Sequence, residues 1–248
     1  MFPQKKKTNP LPNVQRLPGQ SLREEWDRLV NDNLPFVIFI PGMLWLVWFT
    51  QWHRVRLSPN FWLAFAIIVT GMAAIAYLRL IPKARRLVRG ERGELCVAEV
   101  LDDLRNYGYR VAHDLTRDGF NIDHVVVGPA GVFAIETKFR SGSGEITFRN
   151  GEGLFVGGFP EEKDSLKQAR GNAREVHQII KENCQLDEWV WPLVVFVGDW
   201  RVKNDWRSTD ARVFTTDNLV HHIVNQQPRL TRSEIKLIAS HLERSGKS

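Results

Sequence analysis

Two stretches of this chain, residues 35–52 and 59–78, contain no charged residue. As α-helices they reach roughly 27 and 30 Å, close to the hydrocarbon thickness of a bilayer. Phe61, Trp62, Leu63, Phe65, Ile67, Ile68 and Val69 make the second stretch apolar all round. Such a helix needs lipid or a large covering protein surface. The pattern predicts two membrane-spanning helices, about 35–52 and 59–79, forming a hairpin. Pro41-Gly42 is expected to kink the first, and Gly71, Ala74 and Ala76 offer a small-residue packing surface on the second. Trp52 and Trp62 flank the connecting loop, where interfacial aromatics belong. Ahead of the hairpin, Leu22, Trp26 and Leu29 recur at helical spacing. Residues 1–34 are therefore either a disordered basic tail or a tail with a short helix lying on the membrane surface.

From Gly90 the pattern becomes that of a globular domain, over 90–248. Residues 91–107 read as an amphipathic helix striped by Val97, Leu101 and Leu104, with Glu94 at helical spacing to all three. That acid either sits on the core-facing stripe or is rotated to the surface. Strands are expected over 109–115, 122–127 and 132–138, then a hairpin, 145–148 with 154–156, turning at Asn150-Gly151. Ser141-Gly142-Ser143-Gly144 reads as a flexible loop. Residues 161–183 form a second long helix with Leu166, Ala169, Ala173, Val176 and Ile180 inward. Lys163, Lys167, Arg170 and Arg174 fall on one stripe beside that face, either a solvated face or a phosphate contact. Leu193–Val197 is an unbroken apolar run, the mark of a buried strand running parallel after a helical crossover. Residues 212–214 add an edge strand and Thr216-Asp217 opens a short helix. Thr231-Arg232-Ser233-Glu234 is a capping box for the last helix. The predicted class is α/β, a mixed sheet flanked by helices.

The chemistry concentrates between Ile122 and Lys138. Gly128-Pro129-Ala130-Gly131 joins two apolar strands, and a symmetric turn sets Val127 opposite Val132. Stepping outward puts Asp123 opposite Glu136, with Lys138 on the same face. Opposed like charges destabilise a strand pair, and buried charges are costly unless paired or bound to metal. Either a hard cation such as Mg²⁺ or Mn²⁺ resolves the conflict, or Lys138 neutralises one carboxylate while the other faces water. His124 alternates to the opposite face, as a packed core histidine.

Asp123 followed by Glu136-Thr137-Lys138 resembles the Asp…(Asp/Glu)-x-Lys core of the PD-(D/E)xK nucleases, with their restriction-endonuclease-like fold. With Gly90-Glu91-Arg92-Gly93-Glu94, Asn121–Pro129 and Gly131-Val132-Phe133, the ordered set is similar to the nuclease-related domain (NERD) of that superfamily, over roughly residues 90–198. The resemblance implies metal-dependent hydrolysis of nucleic-acid phosphodiesters, with DNA favoured over RNA. In it Asp123 and Glu136 hold Mg²⁺ or Mn²⁺, aided by Glu94 and the Thr137 carbonyl. Lys138 orients the attacking water or stabilises developing charge, and Gln168 positions a water or phosphate. A non-catalytic, membrane-tethered binding module of the same fold is the competing class.

Charge sharpens the topology. Within the total of +6, residues 1–34 are net +2 and residues 35–89 net +7, which leaves the remainder net −3. The basic balance thus belongs to the tail and the membrane flanks, and gives no evidence of a nucleic-acid-binding patch on the globular part. Arg79, Lys83, Arg85, Arg86 and Arg89 outweigh Arg54 and Arg56 in the loop. The positive-inside rule then puts both termini in the cytoplasm, with residues 35–81 crossing the inner membrane of a bacterium. Cys96 and Cys184, without metal spacing, fit a reducing compartment. His221-His222 forms no recognisable metal site. No Walker loop, dinucleotide fingerprint, GxSxG or HExxH occurs.

Overall fold

The structure is a computed structural model describing residues 17–34, 38–52, 58–117, 120–149, 153–161, 163–203 and 210–245. The chain divides into two compact units at Glu91/Arg92.

The first unit holds α1 (Gln20–Leu34), α2 (Ile40–Gln51) and the start of α3 (Pro59–Asp102). Leu22 of α1 packs where Gly90 leaves room. Glu91 pairs with Arg23, and Lys83 lies 3.6 Å from Glu25. Trp45 Nε1 donates to Thr70 Oγ1 at 3.3 Å, tying α2 to α3. Pro41 sits in the first turn of α2, where a missing amide donor costs little. Among the described residues, one helix, running from Asn60, is long and apolar enough to cross a membrane, and almost none of its apolar window is buried. The 12 residues of α2 cover only about 18 Å. Residues 35–37 and the loop residues 53–57, with Arg54 and Arg56, lie outside the described residues. α3 runs unbroken past Gly90, although a separate helix was expected from Glu91. Between Arg79 and Gly90 every residue but Pro82 and Gly90 suits a helix, and Pro82 is accommodated within it.

The second unit is built on a seven-stranded mixed sheet. β1 (Arg110–Arg117), β2 (Phe120–Gly128) and the first half of β3 (Gly131–Arg149) are antiparallel neighbours. β6 (Val190–Lys203) runs parallel to β3, and β7 (Arg212–Thr215) parallel to β6. The far half of β3 pairs with β4 (Gly153–Val156), which pairs with β5 (Phe159–Pro160). The turn at Asn150-Gly151 lies outside the described residues. Ser141–Gly144 is part of β3 and not a free loop. The ring of Trp200 lies against Gly142 and Gly144, so these glycines serve close packing rather than mobility.

Alternation in β6 shows why the sheet is buried on both faces. Leu193, Val195 and Val197 join Val97, Leu101, Val126, Phe133 and Ile135 beneath α3 and α5 (Thr216–Val224). Val194 and Phe196 point the other way, toward Leu166 and Ala169 of α4 (Ser165–Cys184). α4 and α6 (Arg232–Ser245) cover Val125, Val127, Val132 and Ala134. Each buried Val, Leu, Ile or Phe among these contributes about 1.5–3 kcal/mol. α4 starts later than expected because Asp164 caps it, accepting from the Lys167 N–H at 2.9 Å. The expected capping box forms, with Thr231 N–H donating to Glu234 Oε2 at 2.7 Å. Thr215, one residue before the expected Thr216, takes the N-cap position of α5 without a side-chain capping hydrogen bond. His124 is fully buried, its Nδ1 2.9 Å from Nδ1 of His113.

Tyr109 locks the β2–β3 turn to α5. A Cβ on Gly128 would lie 1.9 Å from the Tyr109 ring, whose hydroxyl donates to the Ile223 carbonyl at 3.2 Å. Held at both ends, the ring has nowhere to go. Gly128→Ala should therefore cost about 3 kcal/mol in thermal unfolding. Adding Tyr109→Ala relieves the clash, so the double variant should lose less than the two single losses combined.

Candidate functional site

β2 and β3 pair from Gly128/Gly131 out to His124/Ile135, with Val127 opposite Val132 as the turn chemistry implied. There they part. β2 stays with β1, Ile122 opposite Leu115, while β3 stays with β6, Glu136 opposite Val194. Asp123 and Glu136 are thus not a paired rung, as the extrapolated register had them, but flank a fork. The Thr137 N–H, without a strand partner on that side, donates to Asp123 Oδ2 at 2.7 Å. The N–H and C=O of one strand residue point to the same edge, so the Thr137 carbonyl faces the fork too.

Glu136 is almost wholly buried. Lys138 Nζ donates to Glu136 Oε1 and, at 3.0 Å, to Gln168 Oε1. Asn172 Nδ2 donates to Glu136 Oε2 at 2.9 Å. Gln168 and Asn172 are four residues apart on α4, so one flank of one helix supplies both. Glu94 comes from the opposite side of the sheet, and it too is buried. α3 approaches β3 closely at Gly93, where a Cβ would lie 3.0 Å from Cβ of Phe139. The glycine in Gly90-Glu91-Arg92-Gly93-Glu94 thereby sets Glu94 near the fork.

The electrostatics follow from this burial. The Asp123 carboxyl is held well above the usual range by desolvation, then by the charges of Glu136 and Glu94. Glu136 is also pushed up by desolvation, against the Lys138 charge and the hydrogen bonds from Lys138 and Asn172. The ion pair foreseen between Lys138 and one carboxylate is present, yet Asp123 does not face water; it is 9% exposed.

Among the described residues, no three His, Cys, Asp or Glu side chains gather closely enough to cage a metal ion. The donor set still suits Mg²⁺, which is commonly held through one or two carboxylates with waters and substrate oxygens completing its octahedron. Asp123 and Glu136, with the Thr137 carbonyl, are such a set, and a divalent charge would remove the penalty on their ionised forms.

The basic stripe is not part of this cluster. Lys163 precedes α4 and Lys167 is exposed. Arg170 pairs with Asp210 at 2.7 Å, and with Arg174 it lines a cleft of about 200 Å³ beside Trp189, on the other flank of α4 from Gln168. Three neighbours of the site escaped the sequence reading. Asn172 could have been found from its spacing to Gln168, and Arg140 from its place two residues after Lys138. Glu161 left no signal: its carboxylate accepts from Ser165 N–H at 3.3 Å and from the Ser165 hydroxyl, lies 3.9 Å from Arg140, and adds its charge to Glu136.

Residues 89–197 match the family model described as nuclease-related domain. No curated protein and no solved structure matches the chain.

The raised Asp123 pKa fixes a sign. The unfolded carboxyl ionises near pH 4, while the folded one keeps its proton to higher pH. Between those values the folded state binds more protons, so stability falls as pH rises. Asn cannot ionise and still accepts from Thr137. In EDTA, the melting temperature of Asp123→Asn minus that of wild type should increase from pH 4 to 7.5. A difference that does not change with pH would refute the buried charge.

Proposed function

The chain carries a nuclease-related domain at residues 89–197, and on that premise we propose that it is a membrane-anchored, metal-dependent nuclease of PD-(D/E)xK type. The observation that carries the reading is the fork itself: Asp123 and Glu136 at its edges, with Lys138 held between Glu136 and Gln168. Asp123 and Glu136 would hold Mg²⁺ or Mn²⁺, with the Thr137 carbonyl as a further donor and Glu94 adding negative charge nearby. The bound ion supplies charge stabilisation at the phosphate and a bound water of lowered pKa. Lys138 places a positive Nζ where negative charge develops on the phosphorane. Gln168 sets the reach of that amine through its 3.0 Å hydrogen bond. Asn172 holds Glu136 Oε2 and orients the carboxylate. DNA is the favoured substrate.

One observation favours a second reading. Both Glu136 oxygens are already taken, by Lys138 and Asn172. A module that keeps the fold but binds without cutting would retain that closed ion pair. Cleavage assays on the full-length protein in detergent, with labelled DNA and RNA, separate the two. For the nuclease, Mg²⁺ or Mn²⁺ should activate cutting and EDTA abolish it. Lys138→Ala should lower turnover by on the order of a hundredfold with metal binding nearly intact. Glu136→Gln should shift activity to higher metal concentration. Mn²⁺ at a hundredfold excess over its Kd should stabilise wild type by roughly 2.7 kcal/mol, and Asp123→Asn by far less. A folded, metal-loaded wild type that cuts nothing would establish the binding module instead.

The anchor belongs to the same proposal. Phe61, Ile67, Ile68, Met72, Ile75 and Leu78 of α3 are all more than half exposed, a surface that suits lipid. With residues 35–52 as the first pass and α3 as the second, both termini face the cytoplasm of a bacterial inner membrane. A cysteine at Ser58 should then react with an impermeant maleimide added outside intact spheroplasts, and one at Arg89 only after lysis. The reverse pattern would invert the topology.

A further inference from the structure

Two residues past Lys138, about 7 Å along the strand, β3 bulges at Arg140. Its guanidinium approaches the buried Glu161, whose charge reaches Glu136, so it lies on the site's side of the sheet. The Arg140 side chain remains 37% exposed. Beside it opens a cleft of about 230 Å³, lined by Arg140, Ser141, Val156, Phe159, Pro160 and Trp200. The cleft has a fixed floor. Trp200 Nε1 donates to the Arg140 carbonyl at 3.0 Å, and a Cβ at Gly198 would come within 2.9 Å of that nitrogen. Phe159, on the two-residue strand β5, is 76% exposed, the most exposed large apolar side chain among the described residues. A ring so placed adds nothing to the core; it presents an aromatic face to solvent.

We propose that this cleft is a subsite for one unpaired nucleotide next to the scissile phosphate, with the base stacked on Phe159 and its phosphate on Arg140. The assignment rests on the nuclease reading for the position of the scissile bond. Stacking on an exposed ring is open to any base and needs that base free of its neighbours, so it selects single strands or frayed ends. Guanidinium suits phosphate through its paired donors. The volume lies below that of drug-sized pockets, on the scale of one base. A duplex, its bases already stacked, has nothing to offer Phe159. The substrate class is therefore single-stranded nucleic acid, and the shared chemistry of base and phosphate is common to DNA and RNA.

The test uses the full-length protein in detergent micelles with EDTA, so that nothing is cut. The probes are single-stranded DNA, single-stranded RNA and duplex DNA, each carrying 2-aminopurine, read by fluorescence and by anisotropy. Wild type should bind single strands about tenfold more tightly than duplex and quench 2-aminopurine. Phe159→Ala should abolish the quench and weaken single-strand binding roughly tenfold, leaving duplex binding unchanged, and Phe159→Trp should restore both. Arg140→Ala should weaken all probes and reduce the salt dependence by about one charge. Equal loss on DNA and RNA assigns the shared chemistry, while loss on one alone assigns that polymer. Single-strand binding by Phe159→Ala equal to wild type overturns the subsite, as does a wild type that binds none of the probes. The two readings fail separately. A wild type that stacks 2-aminopurine but never cleaves with Mn²⁺ loses the nuclease and keeps the cleft. One that cleaves, with KM unchanged by Phe159→Ala, loses the cleft and keeps the nuclease. Near-UV circular dichroism confirms that each variant is folded.

Discussion

The parting of β2 and β3 beyond His124 and Ile135 is the constraint on which the site depends. A sheet that stayed paired would bring Asp123 and Glu136 face to face in an apolar environment, with no room between them and no free backbone group near them. Once the strands diverge, the Thr137 amide is freed and the Asp123 carboxylate takes the place of a strand partner. The same divergence turns the Thr137 carbonyl toward the fork. Beyond the fork each strand keeps its other partner, β2 on β1 and β3 on β6, so only the bonds of the inner edges are given up.

The fork carries a cost that the fold leaves partly uncompensated. Asp123 and Glu136 are both raised by burial, with Glu94 and Glu161 adding like charge. Lys138 and Asn172 hydrogen-bond Glu136, whereas Asp123 accepts from the Thr137 amide and feels the Lys138 charge without a hydrogen bond from it. Buried charge left short of partners is what a folded domain avoids when stability is the only criterion. Perturbed acids flanked by a lysine are accordingly a mark of chemistry more than of structure.

Much of this was legible along the chain because it depends on local periodicity. Alternation of Val125, Val127, Val132 and Ala134 sets which face carries Asp123 and Glu136, and the Gly-Pro-Ala-Gly turn sets the register. The unbroken apolar run at Leu193–Val197 marks a strand buried on both faces, where β6 is found. What periodicity cannot carry is where a ladder ends. That depends on tertiary partners far apart in sequence, β1 on the other edge of β2 and β6 on the other edge of β3. Asn172 was passed over because asparagine on a helix flank is ordinarily a solvated side chain, and only the position of Glu136 gives it a partner. The glycines between Ser141 and Gly144 misled for a related reason. Glycine serves mobility and close packing alike, and Trp200, some sixty residues on, decides between them. The helix continuing through Gly90 was hidden by a break in composition that is not a break in backbone conformation.

β3 then explains how one element organises so much. Over 19 residues it passes from the shared edge with β2 to the shared edge with β4, with β6 alongside throughout. Glu136 and Lys138 alternate onto the α4 side while the strand is regular, so α4 meets them with Gln168 and Asn172. Between Phe139 and Ser143 the register against β6 slips, three residues of β3 standing against Gly198 alone. A bulge ends strict alternation and bends the strand. Placed after Lys138 and Phe139, it leaves the two chemical residues on regular, well-held backbone. The Trp200–Arg140 hydrogen bond then fixes the bend from the β6 side. Geometry at the fork is thereby set by a ladder buried on both faces, and variation in the cleft beyond it can be accommodated by the bulge without moving Glu136 or Lys138.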